Sequence, residues 1–384
     1  MKKVLLLGYS GFPTAKSAAS EKQKLIAKAI NMVPGYEVEI LNYTSYCKYK
    51  YDKKGTVEGV NYRLTAFFSK QPKNRILRVA NLVYGYVCDY FYVMFKSYDA
   101  IILSTRNSIY ILGHILLAKL KQKKVTITIV EDYESLKNDS SLITRLKCFL
   151  FFNYVFKYID GVFPISALIR EQARKVNNNL PLLELPIFTD FEKFERTIGV
   201  DERDYFLFCG AAGYFETIKF VIDSYQVRPL EHSLILIING HQSEIEKVLN
   251  YIRKLGLEEK IACKSELSYR NLIGYYKNSA GLLIPLNPDM KDSARFPHKI
   301  AEYCASKRPI ISSNYGEVKR FFEHKKNALL IDYHDIQAFN KLMQYVEKNK
   351  DHASRIGLES YKLGYDKFNY ENYGEKITRF LSLI

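Results

Sequence analysis

The stretch Gly281–Ser313, GLLIPLNPDMKDSARFPHKIAEYCASKRPIISS, carries the decisive pattern. Its apolar opening, Gly281–Pro285, predicts a buried strand. After a loop, Pro297 suits the first turn of a helix over Pro297–Ser306, where the missing N–H has no partner to lose. Pro309–Ser313 is again apolar and extended. Strand, helix and strand in this order form a βαβ unit, whose crossover pairs the strands in parallel. At 100° per residue, Ile300, Ala301, Cys304 and Ala305 share one apolar face of the helix. Arg295, Lys299 and Glu302 stand at i, i+4 and i+7 on the other face. A helix amino end carries free N–H groups and partial positive charge, which suits a phosphate. Two cations would strengthen that site, and a carboxylate one turn deeper would accept hydrogen bonds from a ribose diol. The alternative is a solvated face with Lys299 and Glu302 as an ordinary i, i+3 pair. Lysine before glutamate is the less favourable order for such a pair. A helix following a buried strand also occupies the position of a switch-point ligand site.

The same alternation runs outward in both directions. Strands are predicted at Lys3–Leu7, Tyr36–Leu41, Ala100–Leu103, Lys124–Val130 and Asp160–Ile165, with helices at Ser20–Ile30, Ile109–Leu120 and Ser166–Val176 between or after them. ELPIFTDFEKF, after Leu182, reads as a connection. The pattern then restarts at Tyr205–Cys209, Ile218–Tyr225, Leu234–Ile238 and Ser243–Leu255. Two α/β lobes with parallel sheets follow, divided as 1–185 and 186–365, with a last helix over 366–384. Lobes of this kind hold ligands in a cleft at the carboxyl ends of their strands. The length agrees, because single cores stop growing near roughly 250–300 residues and the chain has 384.

Composition is ordinary for a globular protein, 47% hydrophobic and 26% charged. The six cysteines, at 47, 88, 148, 209, 263 and 304, form no Cys-x-x-Cys pair. That spacing argues against a zinc site or a disulfide framework and suits a reducing cytoplasm. MKKVLLLGYSGFPT has the outline of a signal peptide, but its apolar run is only Val4–Leu7, so a first strand is the better reading. The most hydrophobic stretch, Ile76–Phe95, carries Arg78, Asn81 and Asp89 and does not read as a bilayer span. Net charge is +16. No nucleic-acid signature accompanies it, which leaves a plain surface bias or attraction to an anionic membrane face, where basic residues gain about 1 kcal/mol each. No Asp-x-Asp and no histidine spacing points to a metal.

Ala294–Ser313 resembles the donor-binding helix of group 1 (family 4) glycosyltransferases, in the capsule and polysaccharide branch whose members read R-F-P-x-K-x-x-E-Y. AGLLIPL before it, PIISSNYGEV after it and NALLI at Asn327–Ile331 also fit. Over most of the chain the likeness is looser: GYSGFPTAKSAASEKQKLIAKAI, IDGVFPISALIREQ, LPIFTDFEKF and FLFCGAAGYFETIKFVIDSY match the family's loops, strands and helices. The resemblance implies the GT-B fold, an α/β architecture of two Rossmann-like lobes facing across a cleft. The N-terminal lobe would serve the acceptor and the C-terminal lobe the donor, and the helix in FNYENYGEKITRFL would return to the first lobe.

It further implies a retaining transfer from a UDP- or GDP-type nucleotide-sugar to a glycan or lipid-linked acceptor, with no metal and no permanently bound cofactor. Glu302 would hold the ribose, and Arg295 and Lys299 the departing diphosphate as the catalytic pair. Gly11, Gly210, Gly213, Phe296 and Pro297 would complete the donor contacts, and Glu131, Asp132 and Glu134 would face the acceptor or sugar. Three places depart from the family, one of them Glu131–Glu134, which reads EDYE where relatives often have a sugar-contacting histidine. Ala294 stands where relatives have a sugar-contacting glutamate, and Glu216 where many have a phosphate-binding lysine. Either Lys219 turns inward to replace that lysine, or Arg295 and Lys299 act alone; the second is the expectation. The departures keep two alternatives open, a catalytically reduced GT-B scaffold or another GT-B enzyme such as a sugar-nucleotide epimerase. The expected location is the cytoplasm, peripheral at the inner membrane face, with no nucleic-acid partner.

Overall fold

The computed structural model describes residues 1–8, 11–14, 17–45, 51–130, 141–288, 296–332 and 335–384. They form two compact units, Met1–Phe188 with Tyr370–Ile384, and Thr189–Asn369.

The first unit is built on strands β1 (Lys2–Gly8), β2 (Tyr36–Asn42), β3 (Lys54–Val57), β4 (Val60–Leu64), β5 (Ala100–Ser104), β6 (Lys124–Ile129) and β7 (Gly161–Pro164). They lie in the order β3-β4-β2-β1-β5-β6-β7. All neighbours pair in parallel except β3 and β4, an antiparallel hairpin at one edge. The sheet is therefore mixed, where a parallel one is expected from sequence. The central strand KKVLLLG is buried from Val4 onward because helices cover both its faces. The helices are α1 (Ala18–Asn31), α2 (Arg75–Phe95), α3 (Ser108–Leu120), α4 (Leu142–Leu150), the single turn α5 (Phe156–Tyr158) and α6 (Ala167–Val176). Ser17 and Ser166 cap α1 and α6 by accepting backbone N–H bonds.

The second unit has α7 (Phe191–Arg196) and then a wholly parallel sheet. Its strands are β8 (Tyr205–Ala211), β9 (Ser233–Asn239), β10 (Ile261–Lys264), β11 (Gly281–Ile284), β12 (Ile310–Ser313) and β13 (Leu329–Ile331), in the order β10-β9-β8-β11-β12-β13. Around it lie α8 (Phe215–Gln226), α9 (Gln242–Lys254), α10 (Tyr269–Asn278), α11 (Lys299–Ala305), α12 (Gly316–Phe321), α13 (Ile336–Lys348) and α14 (Lys350–Phe368).

FNYENYGEKITRFL is not one helix. α14 ends at Phe368, a 3-10 turn spans Tyr370–Tyr373, and α15 (Gly374–Leu383) follows. α15 packs on α1, and Tyr370, Tyr373, Ile377 and Leu381 belong to the core of the first unit.

Candidate functional site

In the second unit, β8 ends at Cys209-Gly210-Ala211, beside the helix that follows β11. α11 opens at Lys299 after Pro297, whose carbonyl accepts the Ile300 N–H at 3.0 Å. Its residues from Ile300 to Ala305 are all buried, so the face carrying Glu302 is not solvated and the ordinary surface pair is ruled out. Glu302 is held by two tyrosines from α10: Tyr269 donates its hydroxyl to Oε1 at 3.0 Å, and Tyr276 donates to Oε2 at 3.4 Å. Tyr269 and Tyr276 are seven residues apart, which puts both on one helix face. Tyr303 meets Tyr276 edge-on with ring centroids 5.1 Å apart, and its hydroxyl accepts the Cys209 N–H at 3.2 Å. The His298 ring lies 4.0 Å from Glu302.

The cluster is electrostatically coupled. Burial raises the Glu302 carboxyl above the usual range, against the opposing pull of Lys299 and the two tyrosine hydroxyls. For Lys299 burial alone would lower the ammonium, but Cys209 and Glu302 more than offset it and keep it raised. Burial raises the Cys209 thiol, with Lys299 opposing. A retained ammonium, a buried carboxylate and the end of a strand thus meet within one unit, at the edge where parallel α/β sheets bind ligands.

The remaining candidate positions divide. Gly210 is the penultimate residue of β8, and a Cβ there would sit 2.8 Å from the Phe208 ring. At Gly213 a Cβ would stand 3.0 Å from Glu244 Oε1, whose other oxygen accepts the His241 N–H at 2.9 Å. Gly213 therefore makes room for the α9 cap. Gly11, in the first unit, has φ +71°, and its carbonyl accepts the Thr14 N–H at 2.9 Å in a tight turn. Phe296, expected among the donor contacts, stacks on Phe321 at 5.4 Å and meets Phe368 edge-on, so its ring is committed to packing. Glu216 is exposed in the first turn of α8. Lys219 does not turn inward: it pairs with Asp223 one turn along α8 and lies 5.3 Å from the Tyr251 ring. Arg295, Ala294, Glu131, Asp132 and Glu134 lie outside the described residues. Sequence reasoning did not single out Cys209, Tyr269, Tyr276 or Tyr303; the seven-residue spacing on α10 was the available signal for two of them.

Two Rossmann-like α/β units with the site on the second define the GT-B class of fold. Residues 190–363, nearly all of the second unit, match the family Glycosyl transferases group 1. Among solved structures, the chain is similar to sucrose-phosphate synthase from Thermosynechococcus elongatus (14% identity, TM-score 0.77, covering 100% of this chain and 99% of that one). It is also similar to Anabaena HepE in complex with UDP-glucose (12% identity, TM-score 0.72, all of both chains). A third is the lipopolysaccharide outer core galactosyltransferase WaaB (19% identity, TM-score 0.63, covering 98% and 99%). No curated protein matches the chain in sequence.

Proposed function

We propose that this chain is a retaining glycosyltransferase that moves a sugar from a UDP- or GDP-type nucleotide-sugar to a glycan or lipid-linked acceptor in cell-surface polysaccharide synthesis. The observation that carries the reading is Lys299 and Glu302 brought together beside the end of β8, inside a domain that matches the group 1 family. Two similar structures support the donor class by their names, one a complex with UDP-glucose and one a galactosyltransferase.

Glu302 keeps acceptor capacity, since two tyrosine hydroxyls occupy two of roughly four lone-pair positions on an ionised carboxylate. A ribose diol takes the others. Lys299, with Arg295, stabilises the departing diphosphate, and catalysis is positioning plus charge stabilisation, which needs no protein nucleophile. The leaving diphosphate accepts the acceptor's proton on the same face, so the anomeric configuration is retained. A lipid-linked acceptor places the protein at the inner face of the membrane.

The test is a panel of UDP-, GDP- and ADP-sugars assayed for hydrolysis and transfer, with the product anomer read by NMR. Lys299→Ala is expected to lower kcat by about 10²–10³-fold, the scale of losing one stabiliser of developing charge. Glu302→Ala is expected to raise KM by about tenfold or more, the scale of a charge-assisted hydrogen bond. Unaltered kinetics in both variants, or an inverted product, would sink the assignment.

A further inference from the structure

A soluble amphipathic helix turns its apolar stripe toward the core. α2 does the reverse. Its buried positions are Asn81, Gly85, Asp89 and Val93, spaced by four along one face. Asn81 accepts the Phe68 N–H at 2.8 Å, and Asp89 accepts hydroxyls from Thr65 and Tyr110. The outward stripe is Ile76, Val79, Val83, Val87, Phe91 and Phe95, with Ile76 78% and Phe95 75% exposed. α3 packs against both α2 and α4. It adds exposed Leu116 and Leu120, and α4 adds Leu142 (77% exposed), Leu146 and Phe149. An apolar surface of this breadth on three adjacent helices marks an interaction site.

Charge selects the occupant. Residues 66–98, 106–124 and 141–158, which contain these helices, hold thirteen lysines and arginines and one acidic residue, the buried Asp89. Lys73, Arg75 and Arg78 stand exposed at the start of α2 and Arg145 on α4, while Lys119 near the end of α3 is exposed but pairs with Asp160 at 3.9 Å. A second copy of the chain would bring like charges face to face. A nucleic acid would satisfy the cations and leave the leucines and phenylalanines without a partner. Apolar residues set among cations match the interface of an anionic bilayer, where aliphatic side chains enter the acyl boundary and cations meet headgroups. Among the described residues no helix is long and apolar enough to cross a membrane.

We infer that the α2–α3–α4 face is a docking surface for anionic lipid bilayers. The inference extends the membrane-facing part of the reading above by assigning the surface, and vesicle binding is measured apart from transfer.

The full chain is sedimented with vesicles of phosphatidylcholine alone and of phosphatidylcholine mixed with phosphatidylglycerol. Binding is expected to the mixed vesicles, weakening as salt rises. Arg75→Gln with Arg78→Gln should lower the partition about thirtyfold, a factor of about five per cation. Phe91→Gln with Phe149→Gln should lower it roughly tenfold or more. The chain has no tryptophan, so Phe91→Trp gives a single tryptophan, excited selectively at its red edge, whose emission should shift to the blue and be quenched by brominated acyl chains. Equal binding to both vesicle types, wild-type binding by the double phenylalanine variant, or an unquenched tryptophan each overturns the inference. So does a dimer in sedimentation equilibrium without vesicles that the same variant dissociates, since it gives the face to a second copy. Donor hydrolysis without lipid keeps the two readings separable. Hydrolysis with no vesicle binding removes only the docking surface, and vesicle binding with no hydrolysis removes only the transferase.

Discussion

Glu302 and Asp89 are both buried carboxyls, and their surroundings give them different tasks. Glu302 lies within reach of Lys299, and its raised carboxyl protonates at a higher pH than an exposed glutamate. A protonated carboxyl has lost acceptor capacity, so donor affinity should fall as pH drops through that raised value. Calorimetric titration of UDP from neutral pH downward checks the slope, and Glu302→Gln should remove the part of it that exceeds UDP's own phosphate protonation. Burial moves the Asp89 carboxyl from 3.8 up to about 7, opposed only in part by the hydroxyls of Thr65 and Tyr110. Between about pH 4 and 7 the folded state holds a proton that the unfolded state has released, so stability declines as pH rises across that window. A displacement of that size corresponds to roughly 4 kcal/mol as an upper bound. Nearby His114 works the other way: burial pushes it down to about 3, and its contribution is lost as pH falls below its ordinary value. Asp89→Asn should therefore remove the part of the decline that falls between about pH 4 and 7 in thermal melts, while leaving the acid limb due to His114.

At the scale of elements, legibility followed how much of each segment's environment its own residues specify. β1, β5 and β8 are continuous apolar runs because both faces are covered, and such runs stand out in a sequence. β3 reads KGTV with every residue exposed, so no periodicity marks it; its hairpin turns at Glu58 and Gly59, both at positive φ. α2 hid differently, since its apolar stripe points away from the core and its polar one inward. In the site, Lys299 and Glu302 were legible from their spacing, but their tyrosine partners come from α10, about thirty residues earlier, and only the fold brings the two helices together. α11 also depends on α14 behind it. A Cβ at Gly364 would stand 2.4 Å from Cys304 Cβ and 3.0 Å from the Phe191 ring. Gly364→Ala should displace α11, destabilising the second unit by about 1–3 kcal/mol, the usual cost of overpacking. UDP affinity should weaken in parallel, and denaturant melts with calorimetry read both effects.

For the whole molecule, the chain order and the units do not coincide: the last fifteen residues belong to the first unit although the second unit lies between them. α15 closes against α1, where a Cβ on Gly374 would meet the Ala29 carbonyl at 2.2 Å, so the two helices touch through backbone. Tyr370, Tyr373, Ile377 and Leu381 are buried there. At about 1.5–3 kcal/mol for each large side chain taken from water, these four contribute roughly 6 kcal/mol or more. That is comparable with the entire stability of a typical domain, about 5–15 kcal/mol. A chain ending at Asn369 should therefore lose the first unit selectively. The second unit has its own core, from Phe206 and Ile218 through Phe339 and Ile356, and no member of it comes from the removed segment. Hydrogen exchange read by mass spectrometry should show β1, β2 and β5 exchanging rapidly in the truncated chain while β8, β9 and β11 keep their protection. UDP should still bind, because Lys299, Glu302, Tyr269 and Tyr276 all lie in the surviving unit, whereas transfer to an acceptor should be lost. Uniform loss of protection across both units would instead mean that they fold as one cooperative block, and the donor site could not be studied apart from the first unit.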